Sequence, residues 1–331
     1  MDAKTAPRGL RAVVLLCVLA LLPALGVALP AAAAEPDWTV RTAANDLGTD
    51  RSNYAYTTAP GDTVRDGLVI TNRASEALDL ELSIHDLRQR SDGRLEVAAN
   101  SASAGIGAWV RGGTDRVEVR PDQSGTVPIT VAIPKDAAAG DYVGAVLTSV
   151  ESTSGDEDVT RRLGIRMTIR VTGDLTSSVA VEGVTMTWDG ALDPLARGAA
   201  VLRYTVHNSG NMQLVVRSST SVTGPFGWQH RSSVESSGET ALLPGARRTV
   251  TVRYPDVAGL GTLDARASIT AVVTDAAGTT TELQPVVHQA HAPAVPWLTV
   301  ALLLVVLALV ALLTGAAVRR RDLGGAYLQR A

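Results

Sequence analysis

Hydrophobic and polar residues alternate with a period of two along most of this chain. Leu78, Leu80, Leu82 and Ile84 are interleaved with Asp79, Glu81, Ser83 and His85. Ile165, Met167, Ile169 and Val171 alternate with Arg166, Thr168 and Arg170, and Leu202, Tyr204, Val206, Val250 and Val252 keep the same parity. Successive side chains of a strand point to opposite faces, so this spacing predicts strands with one buried face. The runs are short, Gly, Pro, Asn and Asp separate them, and no long amphipathic helix interrupts them. That combination predicts antiparallel β-sandwiches.

Two segments break the alternation. Trp297 to Val318 is an unbroken apolar run of 22 residues followed by Arg319, Arg320 and Arg321. As a helix it rises about 33 Å, enough for a hydrocarbon core of about 30 Å. Lipid offers the backbone no hydrogen-bond partners, which forces the helix. The arginines predict a cytoplasmic side and Trp297 an outer interface. Near the other end, Lys4, Arg8 and Arg11 precede the apolar stretch Ala12–Leu22, and Ala31–Ala34 supplies an A-x-A site. This is the plan of a signal peptide, residues 1–34, cleaved near Ala34. The expectation is a single-pass type I membrane protein with an extracellular ectodomain and a cytoplasmic tail, residues 319–331, too short to fold. No Leu-Pro-x-Thr-Gly sorting motif precedes Trp297, so the helix is expected to persist in the mature protein.

The segment between carries an internal repeat. Ile70-Thr71-Asn72 answers to Val206-His207-Asn208, Val119-Arg120-Pro121-Asp122 to Leu243-Pro244-Gly245, Ile133-Pro134 to Tyr254-Pro255, and Gly140 to Gly261. The offset is 136 at the asparagines, 123 at Pro121/Pro244 and 121 at the later pairs. The expected fold class is therefore all-β: two tandem Ig-like antiparallel β-sandwiches followed by one transmembrane helix. The expected parts are a first sandwich over residues 35–173, a second over 174–284, a Pro/Ala stalk over 285–296 and the helix over 297–318. The first copy has 13 residues more than the second between its asparagine and proline markers. The surplus falls within His85–Gly107, which holds the turn Ser91-Asp92-Gly93. It is either a neutral insertion or a binding excursion on a rigid scaffold.

Composition narrows the chemistry. Seven of the 30 basic and two of the 33 acidic residues lie in the leader and tail, which leaves the ectodomain at a net charge of −8. This argues against nucleic acid and against electrostatic capture of anionic wall polymers. The single cysteine, Cys17, lies in the leader, so the mature chain has no disulfide, thiolate site or cysteine nucleophile. No hydrolase elbow, zinc-protease helix or phosphate loop is present. The histidines are scattered, and His288 and His291 in the stalk lack further ligands. The acidic loop 151–158 could take calcium or be a solvated turn. The expectation is no enzyme, no cofactor and no metal. Ligand-contact candidates are Tyr54, Tyr56, Asp86, Arg88, Asp92, Arg94 and Trp109. Tyr54 and Tyr56 share one strand face, either burying it or displaying two rings, and Trp109 plugs the core or meets a ligand.

Tyr54-Ala55-Tyr56, Pro60-Gly61-Asp62, Ile70-Thr71-Asn72, Ser91-Asp92-Gly93, Trp109-Val110, Pro134-Lys135 and Gly140-Asp141-Tyr142-Val143-Gly144 occur in that order. In this the first domain resembles the peptidoglycan-binding domain of the WxL-interacting proteins of Gram-positive cell surfaces. Arg94-Leu95-Glu96-Val97 departs from it where the family tends to carry an aromatic. The resemblance implies a membrane-anchored surface protein contacting peptidoglycan or a wall-associated protein, such as one of WxL type, through its first sandwich. The alternative is a non-catalytic structural or assembly partner that pairs with another membrane or secreted protein through sheet edges.

Overall fold

A computed structural model describes residues 37–98, 105–154, 157–190, 197–236, 241–259, 261–274 and 279–328. The expected signal segment and part of the surplus region lie outside them. From Trp38 onward the chain forms one continuous unit.

The first half is two facing sheets. One runs β1 (Trp38–Thr42), β3 (Thr63–Asn72), β8 (Ser124–Ala132), β6 (Val110–Gly112). The other runs β2 (Tyr54–Thr58), β10 (Glu157–Val171), β9 (Gly140–Ser154), β4 (Leu78–Gln89). Beyond β4, its two ends pair with β7 (Arg116–Val119) and β5 (Leu95–Val97). Leu68 and Ile70 of β3 and Val127, Ile129 and Val131 of β8 meet Leu80 and Leu82 of β4 and Ile165, Met167 and Ile169 of β10 in one core. Each fully buried aliphatic contributes about 1.5–3 kcal/mol. The inward parity of β10 matches the alternation in its sequence. A short helix, α1 (Ile106–Trp109), buries Ile106 and Trp109 against the same core.

The second half repeats the plan around a second core. One sheet is β11 (Val179–Asp189), β12 (Gly198–Asn208), β15 (Arg247–Val257). The other is β14 (Arg231–Ser236), β13 (Val215–Thr223), β16 (Gly261–Thr274), with β17 (Thr280–Glu282) and β18 (Val286–Ala294) both on the far side of β16. Between the halves the chain turns at Gly173, at φ +143°; a Cβ there would come within 2.8 Å of the Ala139 Cβ. Positive φ and close approach both favour glycine.

Two expectations are corrected. The stalk is a strand: Val286–Ala294 pairs antiparallel with Ile269–Gly261, so that Ala294 stands opposite Gly261. Ala290, Ala292 and Ala294 point into the core while His291 and Pro293 point out. The alternation was carried by alanine, too small to register as a hydrophobic stripe. The acidic loop is likewise mostly strand, since β9 and β10 run on to Ser154 and from Glu157. Asp156 lies outside the described residues.

The last element, α2, covers Trp297–Leu328, and its portion Trp297–Ala316 is long and apolar enough to cross a membrane. It starts three residues after Ala294.

Candidate functional site

β10 is fifteen residues long and pairs with β9 along all of it. On its other side β2 pairs in parallel, but only with Met167–Val171. The N–H of Thr172 donates to the Thr58 carbonyl at 2.9 Å, which sets the parity of that edge. Backbone groups alternate between the two sides of a strand. Gly164, Arg162 and Thr160 therefore turn their N–H and C=O groups, and Arg166 its N–H, to the β2 side upstream of the point where β2 begins. Among the described residues no strand pairs there.

A buried ion pair decides where β2 begins. Extending β2 backwards would bring Asn53 and Ser52 alongside Arg166 and Ile165. Instead Arg51 is drawn across to Asp66 of β3, its Nη1 2.7 Å from Oδ2 and its Nη2 2.9 Å from Oδ1. Arg51 also donates to the Ala43 carbonyl at 2.9 Å. The Tyr56 hydroxyl donates to Asp66 at 2.6 Å, the Asn45 amide at 2.7 Å and the Gly67 N–H at 2.7 Å. Burial opposes the Asp66 charge, but these donors outweigh it and hold the carboxyl below its ordinary range. Burial also raises the Tyr56 and Tyr54 hydroxyls above theirs, and both stay protonated donors. The segment before Tyr54 is thus tied to the opposite sheet.

The open edge is flanked by basic side chains and a polar groove. Val159 is 40% exposed, while Leu163 and Ile165 sink progressively into the sandwich. On the outer face, a groove of about 400 Å³ is lined by Glu81, Ser83, His85, Leu147, Ser149 and Arg162, among others. Arg166 is partly buried, which lowers its pKa, and its Nη2 donates to Gln213 of the second half at 2.9 Å.

The sequence-derived candidates do not converge on one surface. Tyr54 is fully buried and donates to the Gly67 carbonyl at 2.9 Å. Tyr56 is buried beside it, the rings stacked at 6.2 Å. Trp109 is 7% exposed and packs on Tyr142 at 4.4 Å. Asp86 accepts the Gly107 N–H at 3.0 Å and so holds the start of α1. Arg88 pairs with Glu96 at 2.6 Å across the β4–β5 hairpin. Asp92 accepts the Arg94 N–H at 3.0 Å inside the turn, and the Arg94 side chain is exposed.

That hairpin, part of the surplus region, rests on the second half. The Gln89 amide donates to the Ala241 carbonyl at 3.1 Å and accepts the Leu243 N–H at 3.1 Å. The Thr249 N–H donates to the Ser91 carbonyl at 2.9 Å. Sequence reasoning missed both this contact and the edge of β10. The one available signal for the edge was the mismatch in length between Tyr54–Thr58 and the longer alternating run that ends at Val171.

No family model matches the chain, and no curated protein matches it. Among solved structures it is similar to the class 5 fimbriae chaperone CfaA, with a TM-score of 0.39, 8% identity, and coverage of 76% of this chain and 99% of that one. It is similar to the Escherichia coli chaperone DraB, with a TM-score of 0.34, 11% identity, and coverage of 75% and 98%. It is also similar to the periplasmic chaperone SfaE, with a TM-score of 0.31, 13% identity, and coverage of 77% and 100%. At these scores the likenesses specify no partner. The expectation that the first half contacts peptidoglycan is corrected: the rings of Tyr54, Tyr56 and Trp109, three of its candidate contacts, lie inside the core, where no ligand reaches them.

Proposed function

We propose that this chain is a non-catalytic, membrane-anchored assembly protein, built as two tandem Ig-like sandwiches, that receives an extended segment of another secreted or membrane protein on the open edge of β10. The observation that carries this reading is the mismatch in length between β10 and β2, which leaves the backbone of Thr160, Arg162 and Gly164 and the N–H of Arg166 with no strand beside them among the described residues. An added strand would satisfy those groups, and the side chains alternating along β10 would select among its own. The exposed Arg162 beside that edge favours a segment carrying acidic residues. Trp297 would lie at the outer interface and Arg319–Arg321 inside, with the ectodomain facing the partner. The order of turn motifs shared with the WxL-interacting proteins belongs to the same proposal, as kinship of fold and of a protein-binding role.

The test is Arg162→Pro in the full-length protein. The Arg162 N–H points away from β9, so proline removes an edge donor and spares the β9 ladder. Wild-type protein cross-linked in membranes and purified in detergent should retain its partner, and the folded variant should lose it. Equal recovery by both would contradict the reading.

A further inference from the structure

The turn Gly224–His230 joins β13 to β14 and sends two large aromatic side chains into solvent. Phe226 is 94% exposed and Trp228 62% exposed, their rings 6.4 Å apart in an edge-on arrangement. The turn is built to do this. The Gly224 N–H donates to the Trp228 carbonyl at 2.7 Å, closing the loop at its base. Phe226, Gly227 and Gln229 all take positive φ. That conformation is unfavourable for a bulky aromatic, so the ring is held outward against both backbone preference and the drive to bury it. Gln229 fastens the turn to the body by accepting the Ala258 N–H at 2.7 Å.

Its position supplies the occupant. Pro225 packs against Gly261, its Cγ 3.8 Å from where a side chain there would begin. Gly261 pairs with Ala294, the last residue of β18. Trp297, 73% exposed, opens the apolar helix three residues later, a reach of at most about 10 Å. The exposed aromatic pair and the start of the helix therefore share one end of the second half. The contacts with the first half, at Asn211, Gln213, Leu243 and Thr249, are at the other.

We infer that Phe226 and Trp228 insert into the interfacial layer of the same bilayer that α2 crosses, as a second foot beside the anchor. Aromatic side chains favour the headgroup level, where the ring is sheltered and the indole N–H stays hydrated. Two attachment points fix the tilt of the second half on the membrane, and so the direction in which the β10 edge is presented. The inference rests on the membrane-span reading of Trp297–Ala316.

The test uses the full chain in a Cys17→Ala background, reconstituted in phosphatidylcholine–phosphatidylglycerol vesicles. A fluorophore is attached at Phe226→Cys, at Leu307→Cys in the helix and at Glu118→Cys in the first half. Nitroxide lipids that quench near the headgroups should quench the label at 226 at least about threefold more than that at 118, as expected of an interfacial side chain. If the label at 307 is quenched by deep nitroxides while 226 behaves like 118, the aromatic foot is overturned and the anchor stands. If 307 is not quenched, the anchor fails and the inference falls with it. A label at 226 shielded from both lipid nitroxide and aqueous iodide would mean a protein covers the turn, which also overturns it.

Discussion

Asn72 and Asn208, 136 positions apart, make the same three hydrogen bonds in the two halves. The Asn72 amide donates to the carbonyls of Glu76 and Val119 at 2.7 and 2.8 Å, and its Oδ1 accepts the Ala74 N–H at 2.8 Å. The Asn208 amide donates to Met212 and Leu242 at 2.7 and 3.0 Å, and its Oδ1 accepts the Gly210 N–H at 3.1 Å. Each side chain bridges the end of one strand to the segment two residues before Pro121 or Pro244. Both are buried. Asn72→Ala and Asn208→Ala should each cost about 3 kcal/mol, since buried carbonyls lose their donors. Urea unfolding of the two variants checks this, and a loss below about 1 kcal/mol in either would show that the bridge is not structural there.

The Asp66 cluster should make stability depend on acid. Its carboxyl is held below the ordinary value of 3.8 in the folded chain. Its contribution is therefore complete above that pH and is lost as pH falls through the lower folded value. Asp66→Asn should lower stability at neutral pH by about 3 kcal/mol, because Arg51 is left largely buried without its partner. The difference between wild type and variant should shrink below about pH 4. Denaturation midpoints measured from pH 2 to 7 report this, and a difference that does not change with pH would contradict it.

The two halves are joined by a second buried carboxylate. Arg170 grips Asp141 with two hydrogen bonds, Nε to Oδ1 at 2.6 Å and Nη2 to Oδ2 at 2.8 Å, and Oδ2 also accepts the Gln213 N–H at 2.7 Å. Asp141→Ala removes all three and strands a mostly buried guanidinium, a loss of about 3 kcal/mol. Thermal unfolding should then separate into two transitions. A single transition at the wild-type temperature would show that the joint contributes nothing.

Gln89→Ala tests whether the β4–β5 hairpin braces the joint. Losing its bonds to Ala241 and Leu243 should cost about 1–2 kcal/mol. Proteolysis at the joint should quicken in proportion, and an unchanged cleavage rate would assign the hairpin some other task.

Much of this architecture was legible in the chain, because strand parity and turn residues are local signals. Leu78–Ile84 and Ile165–Val171 are strands on the expected parity, and the asparagine repeat marks equivalent corners. The apolar helix starts at Trp297, as its composition requires. β18 was hidden because alanines fill its inward positions and Pro293 reads as a breaker, though proline is tolerated where its missing N–H faces outward. The site itself was not legible. Whether β10 has a covered or an open edge depends on where β2 begins, and that is decided by Arg51 reaching a carboxylate in another sheet. Tyr54 and Tyr56 could face either way until that pair placed them inside.

Amide exchange reads the edge of β10 directly. In the isolated full-length chain the amides of Thr160, Arg162, Gly164 and Arg166 should exchange fast, while those of Thr168, Arg170 and Thr172, beneath β2, are slow. In the complex isolated from native membranes, the first set should slow by at least about tenfold as a strand is added. Edge amides already protected in the isolated chain, or protection on binding that falls elsewhere, would contradict the proposed strand addition.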